Sequence, residues 1–386
     1  MKNRRRESMA AVDWSELPIE LLNLISQRFD IELDLIRFRS VCSTWRSSSI
    51  PNHYHILPFK YPYPVTFPNK RNTLFNPRNR GTSSSRHISK QNVYLIKPSP
   101  QQQQQQQQQE NQTLLRPWLI RTSQTSHDKT KLFHPLLTNT NSVAISFTQL
   151  LDFSKFSVLQ LRTNFITNIP YIVPEKLVAI TCHGKKPLVL GTWASISPPP
   201  HGNDDENVNW KLIPDISIKY GDLCLYNGVA YAVDNTGRTI MVRPDDDSGV
   251  QLVAEPLIGG GNIKFLVESD GDLLLVDVYD SRLKIDLFKL NEKEKKWVKF
   301  TSLGDRVLFL GLVCSFSASA SDLCVRKGNC VIFMDNIFKG CMYDPHVSRI
   351  FHLDQARVSP LSDYPEYFNL FSPPEWIVKT QKLLNS

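Results

Sequence analysis

The residue types that carry out chemistry are all present in this 386-residue chain, but few stand at the spacings chemistry needs. Seven cysteines fall at 42, 182, 224, 314, 324, 330 and 341, an odd number with no C-x-x-C pair. Zinc sites and disulfide frameworks show recurring close spacings, so these residues are expected to be reduced thiols, with no metal and no cofactor. His183 beside Cys182 reads as a strand end rather than a base beside its nucleophile. No G-x-S-x-G, H-E-x-x-H or Walker A pattern occurs, so no catalytic residue is assigned. The run "IGGGN" at 258–262 lacks the following Lys-Ser or Lys-Thr of a phosphate loop and reads as a flexible loop. The acidic clusters "NDDEN" at 203–207 and "PDDDSG" at 244–249 lack the ligand spacing of a calcium loop and read as hairpin tips. A carboxylate pair for glycoside hydrolysis is set in space, so these spacings leave a hydrolase reading open. Trp193, Trp210 and Trp297 are expected in the core, with ligand stacking as the second reading.

The net charge of +8 is unevenly placed. No Asp or Glu lies between Leu35 and Gln109, where eleven Lys and Arg occur. Residues 1–34, 35–109 and 110–386 carry −2, +11 and −1. The basic tract is also rich in Pro, Asn and Ser, and it reads as a solvated connector. Nucleic-acid binding through it is an alternative, but a DNA-binding domain spreads its field over a folded face with a recognisable motif. No apolar run reaches the ~18–20 residues that span a bilayer, so no membrane role is expected. The start, "MKNRRRESMAAV", has no apolar segment behind its basic residues, and the nucleus or cytoplasm is the expected compartment.

The elements that must position any site change character along the chain. Residues 1–12 read as disordered, 13–50 as a helical unit, 51–89 as a Pro-rich connector, 90–376 as all-β, and 377–386 as a tail. Nine glutamines at 101–109 interrupt the β-region between the strand-like runs "VYLIK" and "PWLIRTS". Beyond Lys90, short β-branched and aromatic runs are separated by turn dipeptides. "KLVAITCHGKKPLVLGTW" reads as strand, turn, strand. "GDLCLYNGVAYAVDNTGRTIMV" reads as three strands turning at Asn227-Gly228 and Asn235–Gly237. "FLVESDGDLLLVDVY" turns at Asp270-Gly271, and "LCVRKGNCVIFMDN" at Gly328-Asn329. Gly184, Gly228, Gly271 and Gly328 are separated by 44, 43 and 57 residues, and acids recur after the turns at Asp234, Asp277 and Asp335. A period near 40–45 residues with several strands per unit predicts a β-propeller, here of about six blades. The fold class is α+β multidomain: a small three-helix unit, then the propeller.

In the first unit, Ser15-Glu16-Leu17-Pro18 is a good helix start, with Ser15 as N-cap and Pro18 in the first turn. Leu21, Leu22, Ile25 and Phe29 give one apolar face; Leu33, Ile36 and Phe38 a second cluster; Val41, Cys42 and Trp45 a third. A unit under 40 residues hides little apolar surface by itself. Three short amphipathic helices with a surplus of it suggest docking onto a partner.

"LPIELLNLISQRFDIELDLIRFRSVCSTWRSS" also resembles an F-box. Leu17, Pro18, Glu20, Leu21, Leu22, Ile25, Val41, Cys42, Trp45 and Arg46 stand in the order and spacing of that motif. "FLVESDGDLLLVDVY", "FKLNEKEKKWVKFTSLGDRVLFLG" and "CSFSASASDLCVRKGNCVIFMDN" are similar to the KIB-type β-propeller of a large plant F-box family. The resemblance implies a substrate receptor of a Skp–cullin–F-box ubiquitin ligase that performs no bond chemistry itself. Leu17, Pro18, Leu21, Leu22, Ile25, Val41 and Trp45 would contact a Skp-type adaptor, and through it cullin and RING subunits. The propeller loops, with Asp245, Asp246 and Asp247 as the candidate, would hold a target protein leading to its ubiquitination and degradation. A propeller enzyme, such as a glycosidase or oxidase, and a basic nucleic-acid binder are the competing readings.

Overall fold

The computed structural model describes residues 14, 17–26, 37–39, 41–49, 87–98, 116–126, 129–137, 156–168, 175–180, 188–191, 209–213, 216, 221–243, 250–280, 283–338 and 347–377. The chain divides into two compact units, Met1–Ile56 and Leu57–Ser386. Among the described residues, no helix is long and apolar enough to cross a membrane.

In the first unit, helical backbone occurs in α1 (Ile19–Ser26), at 37–39 and in α2 (Ser43–Ser48). Pro18 suits the start of α1 because its missing N–H is not needed there, and its carbonyl accepts the bond from Leu22 N (3.0 Å). The proposed cap, Ser15, lies outside the described residues. α1 packs on α2, Leu22 is fully buried, and the Phe38 and Trp45 rings meet at 4.5 Å. The Arg39 guanidinium donates to the Arg46 and Ser49 carbonyls, and Arg46 Nε returns a bond to Arg39 O (3.2 Å).

The described strands of the second unit form four sheets in which most neighbouring strands are antiparallel. The first sheet holds β1 (His87–Lys97), β2 (Trp118–Ser126), β3 (Lys129–Phe133), β4 (Ser157–Asn168), β5 (Glu175–Ile180), β6 (Leu188–Gly191) and β7 (Asn209–Leu212), ordered β3-β2-β1-β4-β5-β6-β7. The second holds β8 (Asp222–Tyr226), β9 (Val229–Val233), β10 (Thr239–Val242) and β11 (Val250–Ala254). The third holds β12 (Ile263–Ser269), β13 (Asp272–Tyr279), β14 (Lys284–Asn291) and β15 (Lys296–Phe300). The last is ordered β17-β16-β18-β19-β20, from β16 (Arg306–Leu310), β17 (Phe316–Ser319), β18 (Cys330–Met334), β19 (Ser348–His352) and β20 (Arg357–Pro360).

The sequence period predicts about six blades; the described strands form four sheets instead. The physical reason lies at β4 and β5. They hydrogen-bond to each other from Phe165↔Leu177 to Thr167↔Glu175, so seven strands join in one sheet. The middle of that sheet faces its neighbours, β4 packing on β17 and β5 on β8.

Local chemistry explains the hairpins. Asn227 (φ 49°) and Gly228 (φ 74°) form the two-residue loop between β8 and β9, and Asp270 (φ 54°) and Gly271 (φ 76°) the one between β12 and β13. Positive φ at both central residues is the type I′ geometry whose twist matches the strands. Gly328 breaks the pattern. It follows a short helix, α3 (Ala320–Leu323), and leads into β18, which runs parallel to β16. No hairpin turn occurs there. A Cβ on Gly328 would stand 2.4 Å from the Asp305 carbonyl carbon, so close backbone approach sets this glycine. The glutamines lie outside the described residues, but their flanks β1 and β2 pair, with Ile96 opposite Trp118.

The recurring acids serve three different purposes. Asp234 Oδ1 accepts from Thr236 N (2.8 Å), Thr236 Oγ1 (2.6 Å) and Arg238 N (3.1 Å), closing its own turn. Asp277 is fully buried and pairs with fully buried Lys264 (2.7 Å). Asp335 takes both Arg349 donors (2.6 and 2.8 Å), fastening β18 to β19. The glycine run also departs from the flexible-loop reading. Gly261 N donates to Asp277 Oδ2 (2.9 Å), and a Cβ on Gly260 would come within 2.9 Å of the same oxygen. Gly260 and Gly261 let backbone cover a buried ion pair, and Gly259 takes a positive φ of 71°.

Shared cores join the sheets at three junctions, and β5 against β8 makes the fourth, which closes the ring. Tyr231, Met241, Leu266, Leu275 and Trp297 fill the space between the second and third. Phe265, Val276, Leu308, Val331 and Phe333 do so between the third and last. Val93, Leu119, Phe309, Phe316 and Leu370 join the last sheet to the first. Trp297 thus sits in the expected core, its Nε1 donating to Gly237 O (3.1 Å) and Thr239 Oγ1 (3.0 Å). The side chains of Trp193 and Trp210 lie outside the described residues.

The C-terminal segment, with α4 (Pro365–Phe368), completes the seam. Trp376 is 5 % exposed, its Nε1 donates to Arg116 O (3.0 Å), and its ring meets Phe156 at 5.4 Å. Removing a buried Trp side chain costs about 3–5 kcal/mol. Trp376→Ala should therefore lower the melting temperature by at least ~6 °C, at about 2–4 °C per kcal/mol for a domain of this size. An unchanged melting curve would show that the seam carries no stability.

His134 belongs to the same seam. Its ring stacks on Phe371 at 4.5 Å, and its Nδ1 accepts from Leu136 N (3.2 Å). Burial first, and then the Arg121 charge, push its pKa down to about 3. An unfolded histidine binds a proton near pH 6.5, so the unfolded state holds more protons between about pH 6.5 and 3 and stability falls as pH drops through that window. The loss of melting temperature between pH 7 and 4.5 should be smaller in His134→Gln than in the parent.

Candidate functional site

A surface meant for a partner shows itself as apolar side chains in water. Six of the ten exposed large apolar residues among those described lie in the small first unit: Trp14, Ile19, Leu21, Leu24, Ile25 and Val41. The second unit, several times longer, supplies the remainder. On α1 the burial pattern separates two faces. Leu22 and Ser26, one turn apart, face inward, whereas Leu21, Leu24 and Ile25 form an exposed stripe at i, i+3 and i+4.

The seven residues read from the motif are thus divided by the structure. Leu21 (48 % exposed), Ile25 (40 %) and Val41 (56 %) present apolar surface, and Pro18 is exposed at the start of α1. Leu17 is half-buried. Leu22 is interior and holds α1 to its neighbours. Trp45 is half-buried against Phe38, with its Nε1 donating to Trp14 O (3.0 Å). Ile19 and Leu24 are absent from the motif reading. For Leu24 the signal was present, three residues after Leu21 on the same helix.

In the second unit, paired polar groups occupy the inner strands. Lys176 on β5 pairs with Asp222 on β8 (2.5 Å), and the other Asp222 oxygen accepts from Leu266 N on β12 (3.0 Å). Ser269 on β12 meets Ser317 on β17 (2.9 Å), and Asn164 on β4 donates to Val313 O (3.0 Å). Each sheet junction thereby has its own polar link. Arg162 reaches Glu268 (3.4 Å), and burial drives the neighbouring thiols up, Cys224 to about 12 and Cys314 to about 11. Both thiols are protonated at neutral pH, which is a poor state for a nucleophile. Among the described residues, no group of three or more His, Cys, Asp or Glu could hold a metal ion. Asp245, Asp246 and Asp247, the cluster at 203–207 and the Cys182–His183 pair lie outside the described residues.

Comparison with known proteins agrees with this division. Residues 14–53 match the F-box domain model, and residues 85–352 match the KIB1-4 beta-propeller model. The chain is 32 % identical to the F-box protein SKIP23 of Arabidopsis thaliana, over 95 % of this chain and 96 % of that protein. It is 30 % identical to the F-box protein At2g17036 of Arabidopsis thaliana, over 96 % of each. No solved structure matches it. A small apolar-surfaced helical unit and, separately in the chain, a ring of sheets define the class, that of F-box proteins carrying a propeller. Within that class the chain belongs to the KIB1-4 beta-propeller family.

The buried and exposed leucines of α1 should respond differently. Leu22→Ala should cost about 2–5 kcal/mol and open residues 19–49 to protease, whereas Leu24→Ala should stay within about 0.5 kcal/mol. Limited proteolysis of the two variants measures this; equal sensitivity would contradict the assignment of faces.

Proposed function

We propose that this protein is the substrate receptor of a Skp–cullin–F-box ubiquitin ligase, working in the nucleus or cytoplasm. The observation that carries the proposal is the exposed stripe of Leu21, Leu24 and Ile25, with Val41, on a unit that matches the F-box model. A Skp-type adaptor covers this stripe, with Pro18, Leu17 and Trp45 at its edge, and links it to cullin and RING subunits. Leu22 contributes from inside by holding α1 in place. The propeller holds a target protein, and the loop with Asp245, Asp246 and Asp247 is part of the surface that selects it.

On this reading the chain forms and breaks no covalent bond. It raises the effective concentration of target lysines beside a ubiquitin-loaded enzyme, so that an encounter between separate molecules becomes local. The target is then ubiquitinated and degraded by the proteasome. Apolar docking also separates this reading from nucleic-acid binding, whose affinity falls steeply with salt.

The test is binding of purified full-length protein to a plant Skp-type adaptor. Loss of central apolar contacts costs 2 kcal/mol or more, so Leu21→Ala, Leu24→Ala and Ile25→Ala combined should weaken binding at least ~30-fold. Raising salt from 50 to 300 mM should change the parent affinity by less than ~3-fold, against the steep loss expected of phosphate contacts. Undiminished binding of the triple variant would overturn the assignment.

A further inference from the structure

A cavity of about 360 Å³ opens between the second and third sheets, lined in part by Tyr226, Tyr231, Leu290, Asp272 and Glu292. Three chain reversals build it. Tyr226 ends β8 at the Asn227-Gly228 turn, Asp272 follows the Asp270-Gly271 turn, and Glu292 opens the turn between β14 and β15. Tyr226 Oη donates to Gly271 O (2.7 Å), which fixes the two inner turns side by side. The cavity therefore lies on a face of turns, where a macromolecule can reach it, and its volume is at the small end of ligand sites.

Its chemistry has one sign. The two phenol rings stand edge to face, with centroids 5.8 Å apart; Tyr231 is buried in the shared core, so the ring surface left for a third group is that of half-buried Tyr226. Tyr231 Oη donates to Glu292 Oε1 (3.1 Å), leaving the second oxygen of that carboxylate open to a donor. Asp272 already holds an ammonium, that of Lys289 at 2.7 Å, and both partners are about half exposed. Both phenols also sense the negative field. Burial first, and then Asp272 for Tyr226 and Glu292 for Tyr231, push them above the ordinary phenol range. Aromatic faces and carboxylates converging on one space attract a desolvated cation.

We propose that this cavity is a receptor site for a lysine or arginine side chain of the target protein, held against the Tyr226 ring by the carboxylates of Asp272 and Glu292. The proposal rests on the substrate-receptor reading and gives that target a chemistry. Lys289 is the internal stand-in that an incoming cation displaces from Asp272. One side-chain site is weak by itself, and it contributes register to a larger contact.

The probes are Nα-acetyl-lysine amide, Nα-acetyl-arginine amide and the uncharged Nα-acetyl-norleucine amide, titrated into the full-length protein and followed by NMR at low salt. Both cationic probes should bind at least tenfold more tightly than the norleucine probe. Asp272→Asn with Glu292→Gln keeps the side-chain shapes and should remove that tenfold preference while melting temperature stays unchanged. Lys289→Gln removes the competitor and should tighten binding of the cationic probes about threefold. Equal binding of the norleucine probe would overturn the proposal, as would an unchanged preference in the double variant or weaker binding in Lys289→Gln. Adaptor affinity measured on the same samples keeps the two readings apart: its loss in the parent protein counts against the ligase reading, and its retention with no cation preference counts against this site.

Discussion

A ring of sheets is only as stable as its closing seam, and the rest of this structure depends on that constraint. Each sheet has two apolar faces, and an open ring would leave two of them in water. Here the seam joins the last sheet to the first through Phe309, Phe316, Val93 and Leu119, with Leu370 and Tyr367 from the C-terminal segment packed into the same core. Trp376 and Arg116 then fasten that segment by side-chain bonds to backbone carbonyls. Lys97 on β1 pairs with Asp322 on α3 (2.5 Å), adding a polar tie between the same two sheets. Residues far apart in the chain must meet before any face of turns exists, so the ends of the chain govern the geometry of sites in its middle.

Inside the ring the strands are committed on both faces. β13 is buried along almost its whole length, and β12 at all but one position. Such strands leave no freedom for evolving recognition without loss of packing. The polar links on the inner strands add to that commitment, because a buried carboxylate that loses its partner is strongly destabilising. Variation is cheap only in the turns, which is where the acids, tyrosines and lysines of the second and third sheets collect. The first unit works on a different principle. Among its described residues, Leu22 and Phe38 are the buried apolar side chains, whereas six large apolar side chains stand in water.

Much of this was legible in the sequence, and the reasons are local. Asn227-Gly228 and Asp270-Gly271 announce type I′ turns because few other residues tolerate positive φ twice in succession. The F-box spacing is likewise a local pattern, and it identified the first unit. What stayed hidden is what depends on distant partners. Seven strands make one sheet because β4 and β5 bond to each other, a choice made in space. Gly260 and Gly261 are explained by Lys264 and Asp277, which pair thirteen positions apart across a hairpin. Gly328 looks like Gly271 in sequence, but it stands against the Asp305 backbone rather than in a hairpin turn. Leu21 and Leu22 are the same residue type at adjacent positions, and packing of α1 on α2 decides which is buried.

On the proposed function the first unit serves an adaptor and the propeller face serves a target. Hydrogen–deuterium exchange of the full-length protein, with and without a plant Skp-type adaptor, tests it most directly. Strong new protection is expected within residues 17–49, and unchanged exchange at the turns around Asn227, Asp270 and Glu292. Protection of those turns by the adaptor, or no protection within 17–49, would contradict it.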